Sequence, residues 1–201
     1  MSDTPGLADR WPLAGAESVR DALLAAYADP DRGYHDTRHL TEVLDRLDDL
    51  AEAGTSFDRV AVGLAAWFHD GVYDGRPGAE DRSAAWAESA LAGQDPDLVS
   101  EVVRLVRLTE SHRPTDDDRN GCALSDADLA ILAAPSPRYA EYVADVRREY
   151  SHVSDEDFRA GRAAVLADLL AKPHLFHTGH AREHWEPAAR ANVEDELSRL
   201  T

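Results

Sequence analysis

Apolar residues recur at intervals of three and four along most of the chain, and no segment alternates with the period of two that a half-buried strand requires. The first stripe, formed by Val19, Leu23 and Tyr27, predicts a helix over 16–29 that ends before Pro30. The same pattern predicts further helices over 37–53, 58–72, 80–92, 96–112, 125–133, 136–150, 154–171 and 183–200. We therefore expect an all-α, single-domain bundle of about eight or nine helices.

The segments between these helices are short and polar. Residues 113–124 are expected to form a loop, and Thr37 is expected to cap the second predicted helix. The segment 174–184 contains four histidines, and Gly179 favours a turn there over a regular helix. No repeat or long linker divides the chain, so residues 1–201 are expected to form one domain.

The most apolar predicted helix leads into the segment WFHDGVYD at 67–74. Val62, Ala65 and Ala66 precede His69 at helical spacing, so the imidazole of His69 is expected to point inward. A buried imidazole beside the carboxylate of Asp70 needs a partner, because desolvating a charge alone is costly. A divalent metal would satisfy both groups. A core histidine hydrogen-bonded to Asp70 is the alternative.

Two more histidines stand at the start of the second predicted helix, in the segment YHDTRHL at 34–40. His39 precedes Val43 and Leu47 at intervals of four, so it is also expected to face the core. His35 lies one turn earlier if the helix begins early, although Thr37 as the cap argues against that. The alternative for His35 is a loop position in contact with Tyr34.

Two carboxylates, Asp126 and Asp128, lie within the apolar segment LSDADLAIL at 124–132. A helix N-terminus explains one of them, because its free N–H groups and its dipole favour an acidic side chain. It explains less well a second aspartate among leucines. One of the two is therefore a candidate metal ligand.

The resulting order of His39, then His69 and Asp70, then Asp126 or Asp128 resembles the pattern of the HD superfamily of metal-dependent phosphohydrolases. More narrowly, the chain resembles a bacterial subfamily of predicted HD-domain phosphohydrolases. The segments that carry the resemblance are YHDTRHL at 34–40, WFHDGVYD at 67–74, EDRS at 80–83, DADLAIL at 126–132, VRREY at 146–150, GRAAVL at 161–166 and ARANVEDEL at 189–197.

The resemblance implies an HD-type bundle with a metal-site core at about 34–133 and C-terminal helices over 136–200 packed on it. The metal ligands that it implies are His39, His69, Asp70 and either Asp128 or Asp126. Asp128 is preferred, because it follows an alanine as in the superfamily. Asp70 is also expected to orient the nucleophile, and His35 or His112 to donate a proton or bind a second metal. A surface histidine at a helix C-terminus is the alternative for His112.

Two imidazoles and two carboxylates suit Mn²⁺, Fe²⁺, Co²⁺, Ni²⁺ or Zn²⁺ better than Mg²⁺. Arg38, next to His39, and Arg82, after the loop that follows Asp70, are expected to bind the phosphate of a substrate. Further candidates are Arg147, Arg148, Arg162 and Arg190. For any one of these arginines, a salt bridge with one of the 39 acidic residues is the default alternative.

Charge narrows the range of partners. The 201 residues carry a formal net charge of -18, which argues against nucleic acid and against an anionic membrane surface. No apolar run approaches the ~18 residues of a spanning helix. Residues 1–6 lack the features of a secretory signal. With Cys122 as the only cysteine, a cytoplasmic location is expected.

We therefore expect a metal-dependent phosphohydrolase that acts on a small phosphorylated metabolite, such as a nucleotide or another phosphomonoester. Two alternatives remain. One is a di-iron oxygenase on the same scaffold, with His35 and His112 as the extra ligands. The other is a non-catalytic helical binding or regulatory protein that the metal stabilises. Nothing in the sequence specifies an oligomeric state.

Overall fold

Ten α-helices and two short 3-10 helices form the computed structural model, which describes residues 6–200. The α-helices are α1 (Glu17–Tyr27), α2 (Thr37–Glu52), α3 (Arg59–Phe68), α4 (Ala79–Ala90), α5 (Pro96–Leu108), α6 (Arg119–Leu129), α7 (Ser136–Glu149), α8 (Asp155–Ala171), α9 (Gly179–His184) and α10 (Glu186–Leu200). The 3-10 helices are Leu7–Arg10 and Ala130–Ala133. Residues 6–200 contain no strand, so the all-α prediction is confirmed.

Helix α3 lies at the centre of the bundle. It is the most apolar helix, and side chains on nearly every face of it are buried, including Trp67 and Phe68. A helix that is apolar all round must be covered by neighbours, and α2, α4, α5 and α6 all contact α3. The residues that follow α3 are therefore held at the middle of the fold.

The C-terminal helices pack onto this centre. Helix α10 contacts α8 and the 3-10 helix Ala130–Ala133, which in turn contacts α7. The side-chain amide of Asn192 donates hydrogen bonds of 2.8 and 2.9 Å to the carbonyls of Leu132 and Ala134. Buried apolar side chains from α1 to α10 form one continuous cluster.

Two helices begin after an aspartate cap that the sequence analysis did not predict. The Asp36 carboxylate accepts hydrogen bonds from the N–H groups of Arg38 and His39, so Asp36 caps α2 and Thr37 is its first residue. Asp118 caps α6 in the same way, and residues 119–124 are helical rather than part of a loop. The predicted cap at Thr37 and the predicted start of a helix at position 125 are therefore wrong.

Two helices end earlier than expected. Helix α3 ends at Phe68 rather than Val72, where the Gly71 N–H donates to the Phe68 carbonyl in a tighter turn. Helix α5 ends at Leu108, and His112 adopts a φ of 49°, which a right-handed helix cannot accommodate. His69, Asp70 and His112 consequently stand on turns that directly follow helices.

The segment expected to turn at Gly179 contains the short helix α9, which Thr178 caps by accepting a hydrogen bond from the Ala181 N–H. Helix α8 is the longest, with 17 residues. Among residues 6–200, no helix combines the length and the apolar character that crossing a membrane requires.

The loop before α2 approaches α7 closely at Gly33. A Cβ atom at this position would collide with the Asp145 carbonyl oxygen and lie 2.8 Å from Glu149 Cγ. Glycine is therefore the residue that lets this loop lie against α7.

We expect Gly33→Ala to lower the free energy of unfolding by about 1–3 kcal/mol, because the added methyl group overpacks this contact. Gly161→Ala is the matched control. Gly161 lies in the middle of α8, and a Cβ atom at this position would have no described neighbour within 4 Å. Gly161→Ala should therefore raise the free energy of unfolding by about 0.5–1 kcal/mol. Urea denaturation measures both values, and equal midpoints for the two variants would contradict the close approach at Gly33.

Candidate metal centre

Four side chains from three helices converge at the centre of the bundle. His39 comes from the first turn of α2, His69 and Asp70 from the turn after α3, and Asp128 from the last turn of α6. The Nε2 atoms of His39 and His69 lie 3.0 Å apart. Asp70 Oδ2 lies 3.2 and 2.9 Å from these two nitrogens, and Asp128 Oδ1 lies 3.2 and 3.6 Å from them. We refer to these four residues as the His-Asp cluster.

The orientation of His69 is set by its own helix end. The backbone N–H of His69 donates to the Ala65 carbonyl at 2.8 Å. The ring nitrogen Nδ1 of His69 lies 2.7 Å from the Ala66 carbonyl oxygen. A carbonyl oxygen only accepts, so Nδ1 carries the proton. In the neutral ring, Nε2 therefore presents a lone pair to the cluster, as a metal-binding histidine requires.

The cluster contains a buried atom that makes no hydrogen bond. The side chains of His39 and His69 are 2% and 1% exposed. Within the described part of the chain, Asp70 Oδ2 has no partner in hydrogen-bond geometry, although two nitrogens lie close to it. Several acceptors that crowd one buried point are unfavourable unless protons or a cation lie between them. The ligand atoms of His39, His69 and Asp70 all lie within 4.8 Å of one another, and Asp128 Oδ1 lies 3.2 Å from His39 Nε2, so the donor set fits a divalent metal ion.

Charge in the cluster shifts the pKa values of its members. Burial opposes the charged form of His39, but the carboxylates of Asp128 and Asp70 raise its pKa to about 10. Burial likewise opposes the charged forms of Asp70 and Asp128, yet the nearby imidazoles lower both pKa values. Without a cation the cluster therefore holds protons, and a metal ion would displace them.

Asp126 does not join the cluster. Its two oxygens accept hydrogen bonds of 2.7 Å from the N–H groups of His177 and Thr178, and burial raises its pKa to about 6. Residues two apart on a helix point in nearly opposite directions, so Asp126 and Asp128 cannot share one site. Asp128 is the residue that reaches the cluster.

A cavity of about 540 Å³ opens beside the cluster, a volume in the range of small-molecule pockets. His69, Asp70 and Asp128 form part of its wall, and His35 and His112 line it as well. His112 Nε2 lies 2.8 Å from Asp128 Oδ2, the oxygen that faces away from the other imidazoles. His35 and His112 thus both line the cavity beside the cluster.

Glu149 at the end of α7 positions His35. Its Oε1 accepts hydrogen bonds of 2.9 Å from the N–H groups of Gly33, Tyr34 and His35, and its Oε2 lies 2.7 Å from His35 Nδ1. The His35 ring stacks on Tyr73 with 3.8 Å between centroids. These contacts leave Nε2 as the free ring nitrogen of His35. Sequence reasoning assigned no role to Glu149, and its only signal was its place in the segment VRREY.

The two arginines expected to bind phosphate lie elsewhere. Arg38 is 54% exposed and pairs with Glu42 and Glu141, and Arg82 forms a forked pair with Asp74 at 2.7 Å. Neither side chain lines the cavity beside the cluster. The structure therefore does not bring Arg38 and Arg82 together with the predicted ligands, because nearer carboxylates hold them at the surface.

Among the other candidate arginines, Arg162 of α8 does line the cavity. Its Nε and Nη2 donate to the two oxygens of Glu196 at 2.8 and 3.1 Å, and its guanidinium lies 5.1 Å from the centroid of the Tyr142 ring. The side chain is therefore rigidly held at the wall that faces the cluster.

Comparison with protein-family models, with curated proteins and with solved structures finds no match to this chain. The geometry of the cluster, the cavity and their neighbours is accordingly the structural basis for assigning a function.

We expect Asp128→Asn to abolish binding of a divalent ion, because it removes a charged ligand from the cluster. Asp126→Asn should keep the ion and lower only the stability, since Asp126 binds backbone N–H groups instead. Elemental analysis after dialysis against Mn²⁺ or Zn²⁺ measures the metal content, with wild type expected to retain one ion per chain. Loss of metal from Asp126→Asn with retention by Asp128→Asn would reverse the assignment.

The contacts of Glu149 predict a dependence of stability on pH. Burial opposes ionisation of Glu149, but the hydrogen bonds from His35 and the backbone lower its pKa below the usual 4.5. A carboxyl group with a lowered folded-state pKa stabilises the fold above its unfolded pKa, and this contribution is lost as the pH falls. We expect Glu149→Gln to cost about 1–3 kcal/mol at pH 7 and less at pH 3.

Urea denaturation of both proteins at pH 7 and pH 3 checks this difference. Glu141→Gln is the control on the same helix, because Glu141 is 54% exposed and its partner Arg38 is also exposed. Its effect should stay within about 0.5 kcal/mol at either pH. An equal cost of Glu149→Gln at both pH values would contradict the role of its charge.

Proposed function

We propose that this chain is a metal-dependent phosphohydrolase of the HD type that acts on a small phosphorylated metabolite, such as a nucleotide or another phosphomonoester. The observation that carries the proposal is the meeting of two imidazoles and two carboxylates at the wall of a cavity of about 540 Å³. The order of these residues along the chain, with its resemblance to the HD superfamily, supports the same function.

The atoms that would hold the ion are Nε2 of His39 and His69, Oδ2 of Asp70 and Oδ1 of Asp128. Their mixture of nitrogen and oxygen favours Mn²⁺, Fe²⁺, Co²⁺, Ni²⁺ or Zn²⁺ over Mg²⁺. When bound, such an ion supplies an activated water and polarises a phosphoryl oxygen.

The other residues of the site supply orientation and protons. His35 offers its Nε2 to the cavity, because Glu149 holds its other ring nitrogen, so it is placed to protonate a leaving alkoxide. His112 donates to Asp128 Oδ2, which keeps Asp128 Oδ1 directed at the cluster. His35 and His112 can therefore take these two roles without any rearrangement of the fold.

The cavity favours a catalytic metal site over a purely structural one. Structural metal sites are closed by protein ligands, whereas catalytic sites keep a position open to water and substrate. Here His69, Asp70 and Asp128 contribute to the cavity wall itself. This favours an enzyme over a non-catalytic protein that the metal only stabilises.

A di-iron oxygenase is the second candidate, because additional donors lie close to the cluster. His112 Nε2 lies 2.8 Å from an oxygen of Asp128, and His35 and Glu80 line the same cavity. Two irons per chain, with one lost in His112→Ala, would favour the oxygenase. One ion that His112→Ala retains favours the phosphohydrolase.

We expect the metal-loaded protein to release phosphate from members of a panel of nucleotides, sugar phosphates and 4-nitrophenyl phosphate. His69→Ala should lower kcat/KM by more than about 100-fold, since even outer partners of a metal are worth about 10–100-fold. His184→Ala is the control, because His184 is an exposed histidine of α9 that stacks on His180 outside the cavity. It should leave the rate unchanged.

The outcome that would refute the proposal is absence of turnover with every divalent ion, together with absence of bound metal by elemental analysis. A non-catalytic protein predicts a different result. His69→Ala would then lower the Tm and change no rate.

A further inference from the structure

The cavity beside the His-Asp cluster has two unlike sides. One side is polar, and it contains His35, His69, Asp70, His112 and Asp128. The other side is formed mainly by α7, α8 and the residues around the end of α6, and apart from Arg162 its side chains are apolar or aromatic. They include Leu129, Ile131, Tyr142, Val146, Phe158 and Val165. We refer to this side as the apolar wall.

Val165 extends the apolar wall to the protein surface. It is 53% exposed, and among residues 6–200 only one other large hydrophobic side chain, Val60, is exposed. Val165 lies on α8 and lines the cavity, whereas Val60 lies outside it. An exposed apolar side chain that continues into a cavity is typical of a binding surface for an apolar group.

The charges of the cavity argue against a second anionic group. Among residues 6–200, Arg162 is the only arginine or lysine that lines the cavity, against the carboxylates of Asp70, Glu80 and Asp128. Glu196 neutralises Arg162 through two hydrogen bonds, and the side chains of this pair are 12% and 6% exposed. Away from the cluster, the lining therefore offers no unpaired cation to a second phosphate.

The same wall disfavours a sugar. Hydroxyl groups that leave water for apolar side chains need hydrogen-bond partners, and those that find none weaken binding. Tyr142 contributes one hydroxyl group to the wall, and the other five side chains have no donor or acceptor: Leu129, Ile131, Val146, Phe158 and Val165. An apolar group, in contrast, gains free energy when it leaves water for this wall.

We infer that the apolar wall binds the uncharged, apolar group of a phosphate monoester. The substrate class is then a single phosphate on an apolar alcohol, which narrows the proposed function to phosphomonoesters other than nucleotides and sugar phosphates. The inference rests on the proposed function only for the position of the phosphate at the cluster. Binding of the apolar group needs neither a metal nor a reaction.

Binding of 2-(1-naphthyl)ethanol to the protein as purified tests the wall directly, with the fluorescence of the naphthyl group as the readout. This probe is uncharged and carries no phosphate. We expect Val165→Asp to weaken binding of the probe at least tenfold, because the change puts a carboxylate at the surface end of the apolar wall. Val60→Asp makes the same change at the other exposed valine, outside the cavity, and should alter the Kd less than twofold.

A second pair of variants tests the interior of the wall. Phe158→Ala removes an aromatic ring that lines the cavity, and Phe57→Ala removes a half-buried ring outside it. Only Phe158→Ala should weaken binding of the probe. Absence of binding to wild type, or equal losses in both members of either pair, would overturn the inference.

Hydrolysis assays with two phosphate esters distinguish this inference from the proposed function. We compare 2-(1-naphthyl)ethyl phosphate with 2-hydroxyethyl phosphate, which share the two-carbon attachment to the phosphate. The naphthyl ester should have a KM at least tenfold lower. Probe binding that depends on Val165, with no bound metal and no hydrolysis of these esters or of the earlier panel with any divalent ion, would refute the phosphohydrolase and support the wall. Hydrolysis of both esters with equal KM values would support the phosphohydrolase and refute the wall.

Discussion

Two carboxylates and two imidazoles share one buried point, and their need for positive charge is the constraint on which the site depends. His39, His69, Asp70 and Asp128 come from three helices, so α2, α3 and α6 must meet where their donor atoms converge. The orphaned oxygen of Asp70 shows that hydrogen bonds within the protein do not complete the arrangement. Protons or a divalent cation must do so, because uncompensated charge in a buried site is costly.

Two further buried acids shape the surroundings of this point. Glu149 binds three successive backbone N–H groups before α2, and Asp126 binds two before α9. Glu149 joins α7 to the loop before α2, and Asp126 joins α6 to the segment before α9. As a result, the C-terminal helices supply one whole side of the cavity, and the character of that side decides which ligands fit there.

The helices were largely predictable, since each buries one apolar stripe, but their ends were not. Asp36 and Thr37 are both good caps, and only the hydrogen bonds of Asp36 show which one begins α2. Helix α6 begins at Arg119 rather than at position 125, so neither Asp126 nor Asp128 lies at its N-terminus. Both Asp126 and Asp128 lie among apolar residues, so local pattern alone could not separate a ligand from an anchor.

The sequence by itself determined the helical class and the inward direction of His39 and His69, because helical periodicity is a local property of the chain. Only the tertiary structure decided that Asp128 joins them, that Glu149 holds His35 and that Arg38 and Arg82 stay at the surface. The contact of Glu149 with His35 joins residues 114 positions apart. Such partners are chosen by the packing of helices in three dimensions, which no local pattern encodes.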